Sequence, residues 1–192
     1  MELIRPRTEH LDGYLDALRR GWSPNTEHVG FDQAEIDRVV GDPDRFLELC
    51  DDPEGRGDPI ELADGTRVPR LPGLTRWMWD GEFAGSINVR WRPGTTDLPP
   101  TCLGHIGYAV VPWKRRRGYA SAALATVLPL AAAQGLPFVE ITTDEANVAS
   151  QRVILAAGGI PIERFTKLES SGGGPAVRFR VDLVDRQPDP AA

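Results

Sequence analysis

The sequence has no long hydrophobic run, and this absence excludes an integral membrane protein. No uninterrupted apolar stretch approaches the roughly 20 residues that a membrane-spanning helix requires. The first residues, Met1 to Pro6, also lack the basic region and apolar run of a secretory signal, and they are typical of an opening strand instead. We therefore expect a cytoplasmic protein that has no membrane partner.

Cysteine is also scarce, with only two residues in 192, Cys50 and Cys102. The two lie far apart and show neither metal-ligand spacing nor the dense pattern of a disulfide-stapled secreted domain. The sequence therefore predicts two reduced, structural thiols and no metal.

Positive charge is in short supply overall, because the formal net charge is -6. A protein with this balance lacks the broad positive surface that binds nucleic acid or anionic lipid, so we expect neither as a partner. One dense basic run stands out against the acidic background, at residues 114–117. Its small extent favours a compact anionic ligand over a polyanion.

The pattern along the chain predicts one domain over residues 1–186. A strand and three helices precede an Asp-, Gly- and Pro-rich loop at 51–73, and a hairpin with an Asp80-Gly81 turn follows. From His105 onward the order is strand, helix, strand, helix and two closing strands. This order predicts an α/β (α+β) fold with a mixed central sheet flanked by helices. The polar tail at 187–192 is predicted to be disordered.

The basic run lies where a strand passes into an Ala- and Leu-rich helix, between His105 and Ala133. The first amide groups of a helix lack partners within the helix, and the helix dipole adds positive potential there. Gly118 lets a phosphate approach the backbone closely. This stretch therefore predicts an anion site whose natural occupant is a diphosphate, although an isolated basic run is more often a solvated loop.

Two motifs here resemble the GNAT superfamily of N-acyltransferases. Residues 115–120, Arg-Arg-Arg-Gly-Tyr-Ala, fit its signature Gln/Arg-x-x-Gly-x-Gly/Ala between a strand and a helix. After a further helix and strand, residues 147–159 resemble its second motif, which begins at Asn147 and ends in two glycines. The resemblance covers residues 75–183, and within 106–159 it is especially close to bacterial acetyltransferases of uncharacterised substrate.

The resemblance implies a splayed pair of parallel strands, near 105–111 and 138–143, with acetyl-CoA as cosubstrate wedged between them. Backbone groups of the first strand would bind the pantetheine arm, the amides that follow would bind the diphosphate, and the arginine side chains would serve the adenosine phosphates. The residues expected to bind the cofactor are Val110, Val111, Arg115, Arg116, Arg117, Gly118, Tyr119, Ala120, Asn147 and Ser150.

Alternatives stay open for the last two of these residues. Asn147 suits the N-cap of the helix that follows it, and it can cap that helix and contact a ligand at once. Ser150 either bonds back to the helix backbone or faces the thioester.

Acyl transfer to an amine needs a base for the incoming ammonium and an acid for the departing thiolate. His105 and Glu140 are the candidate bases. Family members often place the acid, a tyrosine, seven residues after the Asn of the second motif, where this chain has Ile154. Tyr108, Tyr119 or a water molecule would have to replace it.

The predicted function is direct transfer of an acetyl group from acetyl-CoA to a primary amine of a small molecule or a protein. The alternative is a non-catalytic acyl-CoA-binding module, which the missing tyrosine favours. A nucleic-acid-binding domain built on the basic run is disfavoured by the acidic net charge. The resemblance also allows a homodimer, for which the sequence shows no interface.

Overall fold

The structure, a computed structural model, describes residues 1–24, 31–61 and 65–183, with side chains at 31 and 32 excepted. The tail predicted to be disordered at 187–192 lies outside these residues. The chain divides into two compact units that alternate along the sequence. The first contains Met1–Arg90 and Tyr108–Tyr119, and the second contains Trp91–Gly107 and the described residues from Ala120 onward.

Five α-helices and ten strands are found in the part of the chain that the structure describes. The helices are α1 (Leu11–Arg19), α2 (Phe31–Gly41), α3 (Pro43–Leu49), α4 (Tyr119–Ala132) and α5 (Val148–Ala156). The strands are β1 (Glu2–Ile4), β2 (Asp51–Asp52), β3 (Ile60–Glu61), β4 (Arg67–Val68), β5 (Gly73–Trp79), β6 (Phe83–Arg90), β7 (Ile106–Val110), β8 (Phe138–Asp144), β9 (Ile160–Thr166) and β10 (Pro175–Asp182).

The larger sheet has the order β1-β5-β6-β7, and β2 also pairs with β5. Strands β5 and β6 form the predicted hairpin, an antiparallel pair in which Trp79 lies opposite Phe83 across a turn at 80–82. Strand β7 comes very close to β6 at Gly85, where a Cβ atom would lie 2.3 Å from the carbonyl oxygen of Ala109. Glycine at this position therefore permits the approach of β7, the strand that leads into the basic run.

An aromatic cluster forms the core of the first unit. Tyr14 of α1 stacks on Trp77 of β5 with ring centroids 4.5 Å apart, and both side chains are almost fully buried. Trp22, Phe46 and Phe83 complete the cluster. These large apolar surfaces hold the helices of this unit against its sheet, because burying one aromatic side chain stabilises the fold by roughly 1.5–3 kcal/mol.

The second unit has its own sheet, of order β8-β10-β9, in which both strand pairs are antiparallel. Its buried apolar side chains include residues of α4 such as Leu124 and Leu128, together with Ile154 of α5. Alternate residues of β10 are buried and half-exposed, as expected when one face of a sheet is covered.

The predicted α/β class is confirmed, and two details are refined. The segment at 51–73 is not wholly loop, because it contains β2, β3 and β4, each only two residues long. The strands predicted to splay apart, β7 and β8, belong to different sheets. None of the helices in the described ranges has the length and apolar character needed to cross a membrane.

Candidate acetyl-CoA site

The basic loop between β7 and α4 has an unusual backbone. A 3-10 turn at Pro112–Lys114 leaves β7, and α4 begins at Tyr119. Within the loop Arg116 has a φ of 66° and Gly118 a φ of 78°, both in the left-handed region. For Arg116 this conformation costs roughly 1–2 kcal/mol, whereas glycine adopts it freely. A Cβ atom at position 118 would have no neighbouring atom within 4 Å. Glycine is therefore favoured here by the backbone conformation and not by steric crowding.

This loop provides the elements of an anion site. The side chains of Arg115, Arg116 and Arg117 are exposed, and so is Gly118. The amide groups that open α4 lack intrahelical acceptors and point toward the N-terminal side of the helix. Three exposed arginine side chains and the open N–H groups of a helix terminus therefore follow one another directly in the chain, and both kinds of group suit phosphate oxygens.

Lys114 differs from the three arginines that follow it. Its side chain is only 7% exposed, and its ammonium group is paired with the carboxylate of Asp80 and, at 3.2 Å, with Glu82. Lys114 therefore holds the hairpin turn to the loop and is not a free cation for a ligand. The sequence signal that could have identified this role is the pair of acids in the turn, on either side of Gly81.

Tyr119, predicted to bind the cofactor, contacts Asp80, as Lys114 does. Its hydroxyl donates to the second carboxylate oxygen of Asp80 at 2.5 Å. The hydrogen bond from Lys114, followed by that from Tyr119, lowers the pKa of Asp80 below its usual value. The hydroxyl of Tyr119 is thus bonded within the protein. Cofactor binding by this residue stays a prediction, and it would use the backbone amide.

The backbone of Val110 and Val111 is also partly engaged. The amide of Val111 donates to the carbonyl of Ala84 at 3.0 Å, and its carbonyl accepts from the amide of Lys114 at 3.0 Å. The carbonyl of Val110 accepts from Nε of Arg115 at 3.3 Å. A pantetheine arm would therefore compete with Arg115 for Val110, and the role of Val111 in binding stays a prediction.

Asn147 performs the capping role that its position indicated. It is the N-cap of α5, and its side-chain oxygen accepts from the amide of Ser150 at 3.1 Å. The residue is exposed, and Ser150 is half-buried. The capping interpretation is confirmed, whereas a ligand contact by Asn147 or Ser150 stays a prediction. Ala120, the second residue of α4, is half-buried, and its predicted contact also remains untested.

The two candidate bases, His105 and Glu140, are joined by two hydrogen bonds that use the backbone of Glu140. The amide of His105 donates to the carbonyl of Glu140 at 2.7 Å, and Nδ1 of His105 accepts from the amide of Glu140 at 3.0 Å. The imidazole is only 1% exposed. Because the lone pair of Nδ1 is engaged, the hydrogen-bond network assigns the proton of the neutral ring to Nε2. This arrangement favours a structural role for His105.

The carboxylate of Glu140 is more accessible than the imidazole. Its side chain is 27% exposed, and one oxygen lies 3.7 Å from Nε of Arg178, which also pairs with Glu163 at 2.7 Å. Sequence reasoning did not identify this arginine, because its partners lie on neighbouring strands and not nearby in the chain.

The candidate proton donors lie in different environments. Tyr108 is half-buried on β7. Ile154, at the position where the family often has tyrosine, is fully buried. Among the residues with described coordinates, no group of three or more His, Cys, Asp or Glu side chains is placed to hold a metal ion.

The strand, basic loop and helix fit the class of acyl-CoA-dependent transferases that the two motifs resemble. The family described as "Acetyltransferase (GNAT) domain" matches residues 28–160. This match covers more than half of the chain, so the chain belongs to the GNAT acetyltransferase family. A comparison with curated proteins finds no match.

Solved structures with the same fold include three acetyltransferases. RimJ from Mycobacterium smegmatis, in complex with CoA-disulfide, has 20% identity and a TM-score of 0.64 over 97% of this chain and 83% of its own. RimL, a ribosomal L7/L12 alpha-N-protein acetyltransferase in complex with coenzyme A, has 13% identity and a TM-score of 0.62 over 96% and 94%. The microcin C7 self-immunity acetyltransferase MccE, in complex with acetyl-CoA and AMP, has 10% identity and a TM-score of 0.56 over 94% and 91%. At identities this low, the structural similarity shows the fold alone. The match to the family confirms the predicted GNAT resemblance.

Proposed function

We propose that this protein transfers an acetyl group from acetyl-CoA directly to a primary amine of a small molecule or a protein. In this reaction the amine nitrogen attacks the thioester carbonyl, a C–N bond forms, and the C–S bond breaks. The amine loses one proton, and the thiolate of CoA gains one. The family supports acetyl transfer, and the protein acceptor named for RimL supports an amine as acceptor.

The observation that carries the proposal is the backbone of residues 115–118. An arginine in the left-handed conformation is rare, and Gly118, two residues later, also has a positive φ. Strain of this kind persists where the surrounding structure imposes it, and it concentrates at ligand sites. Here the strained backbone lies within a run of three exposed arginines just before the first residue of α4, so the loop suits the diphosphate of CoA.

For proton removal we propose Glu140, acting directly or through water, and we retain His105 as the second candidate. The carboxylate is half-exposed, and its ion pair with Arg178 is long, at 3.7 Å. Protonation of His105 at Nδ1 would break the bond from the Glu140 amide that fixes the ring. Tyr108 and a water molecule remain the proposed sources of the proton for the thiolate.

Isothermal titration with acetyl-CoA tests the cofactor site. We expect Arg116→Glu to weaken binding at least tenfold, because it places negative charge beside the diphosphate. Gly118→Asp should do the same, while Gly118→Ala separates the conformational effect from the charge. Arg7→Glu is the matched control, since it makes the same charge change on a side chain that is 68% exposed near α1.

Loss of affinity in the loop variants with retention in the control would support the site. Equal affinity in all variants, or no binding by the folded wild type, would contradict it. A thiol-release assay against small amines and peptides with free N-termini then tests transfer. Binding of acetyl-CoA without release of thiol for any amine would favour the alternative, a non-catalytic acyl-CoA-binding module.

A further inference from the structure

We infer that Asp80, in the turn between β5 and β6, is a positioning residue that holds both ends of the diphosphate-binding loop; this inference rests on the proposed function. One carboxylate oxygen pairs with Lys114 and the other accepts from the Tyr119 hydroxyl at 2.5 Å. These two residues immediately precede and follow the exposed residues 115–118. A single side chain therefore spans the segment whose amides are to bind the ligand.

The loop needs such a restraint because its own packing is slight. All four residues at 115–118 are exposed, and two of them have positive φ. Ordering a flexible backbone costs free energy, so a loop that is disordered before binding would bind the ligand more weakly. Fixing both ends beforehand reduces that loss.

The turn that carries Asp80 is well suited to hold the loop. The amide of Asp80 donates to the carbonyl of Glu82 at 3.2 Å, and the strands on either side are paired at Trp79 and Phe83. The side chain of Asp80 is 17% exposed, which limits its freedom of movement. The loop is therefore attached to a short turn that paired strands hold on both sides.

The charges indicate the same role. A carboxylate close to a diphosphate site would repel the ligand if its charge were not balanced. Lys114 balances it, and the buried ammonium in turn requires a counter-charge, because an unpaired buried charge is costly. Glu82 also contacts Lys114, at 3.2 Å, but its side chain is 81% exposed, and ion pairs in solvent are weak. Asp80 is thus the principal partner of Lys114, and Glu82 provides a matched control.

The test measures the loop and the ligand separately. Amide hydrogen exchange over residues 113–121, without ligand, should be faster in Asp80→Ala than in the wild type, with β5 and β6 unchanged. The dissociation constant for CoA should rise about tenfold in Asp80→Ala and about threefold in Tyr119→Phe, which loses only one of the two contacts. Glu82→Gln should stay within about twofold of the wild type, because its contact is exposed. The KM for acetyl-CoA should rise while kcat and the KM for the amine do not.

The outcomes distinguish this inference from the proposed function. Failure of the folded wild type to bind CoA would count against the function, while the exchange experiment would still decide whether Asp80 holds the loop. Binding by the wild type with unchanged affinity and exchange in Asp80→Ala would overturn the inference alone. If Asp80→Ala does not fold, Tyr119→Phe decides, because removing one hydroxyl from a half-buried ring leaves Lys114 paired. Equal behaviour of Tyr119→Phe and the wild type in both measurements would then refute it.

Discussion

Replacing Gly85 by alanine should disturb the contact between β6 and β7 more than any ordinary Gly→Ala change. The new Cβ would lie 2.3 Å from the carbonyl oxygen of Ala109 and 2.9 Å from Cα of Val110, both backbone atoms. Ordinary contact begins at 3.4 Å, so the carbonyl would have to move by about 1 Å. The φ of 148° at this position is also unfavourable for alanine.

The expected loss of unfolding free energy is the sum of two effects. Overpacking of a tight contact costs about 1–3 kcal/mol. An unfavourable backbone conformation adds about 1 kcal/mol. We therefore expect Gly85→Ala to lose about 2–4 kcal/mol in urea denaturation followed by tryptophan fluorescence.

Gly21→Ala is the control for the backbone effect alone. Gly21 has a φ of 81°, and a Cβ atom there would meet no other atom within 4 Å. It should lose only about 1 kcal/mol, with the same denaturant slope as the wild type. Equal losses in the two variants would refute the argument that β7 is held by its close approach to β6.

Two further predictions concern titratable groups. The pKa of Asp80 is lower in the folded state than in the unfolded state, chiefly because of the hydrogen bond from Lys114. The Asp80 carboxylate therefore stabilises the fold fully above its unfolded-state pKa. This stabilisation is lost as the pH falls through its folded-state pKa. Between about pH 5 and pH 3 the unfolding free energy should therefore fall less steeply in Asp80→Asn than in the wild type, and parallel curves would argue against this contribution. Burial raises the pKa of Cys50 to about 12, so at pH 8 a thiol reagent should label the half-exposed Cys102 first and Cys50 only after unfolding. Rapid labelling of both thiols in the native protein would contradict the second prediction.

The order of helices and strands could be predicted because each depends on local pattern. The Ala- and Leu-rich helix predicted to follow the basic run is α4, Tyr119–Ala132, and the Asp-Gly turn closes the hairpin. The assignment of strands to sheets could not be predicted, since it depends on contacts between residues far apart in the chain. Strands of two residues, such as β3 and β4, are too short to show any periodicity.

The same distinction separates the parts of the site. The Asn147 cap is an interaction over three residues, and a local rule was enough to predict it. Lys114 and its three neighbours look alike in sequence, and only the fold reveals that the lysine is buried against an acid 34 positions earlier. Lys114 was not among the predicted cofactor-binding residues, but its partner in the hairpin could not be read from the sequence.

The departure at Ile154 is explained by packing and has a chemical consequence. This side chain is fully buried in the second unit, and a Cβ atom on Gly159 would lie only 2.5 Å from its Cγ2 atom. A tyrosine in the same place would need more volume and a partner for a buried hydroxyl, which costs free energy when unsatisfied. The position is thus part of the core, and a proton donor cannot be restored there by a single exchange. If the protein transfers acetyl groups, as proposed, the thiolate must receive its proton from another side chain or from water, and Tyr108 is the tyrosine to test first.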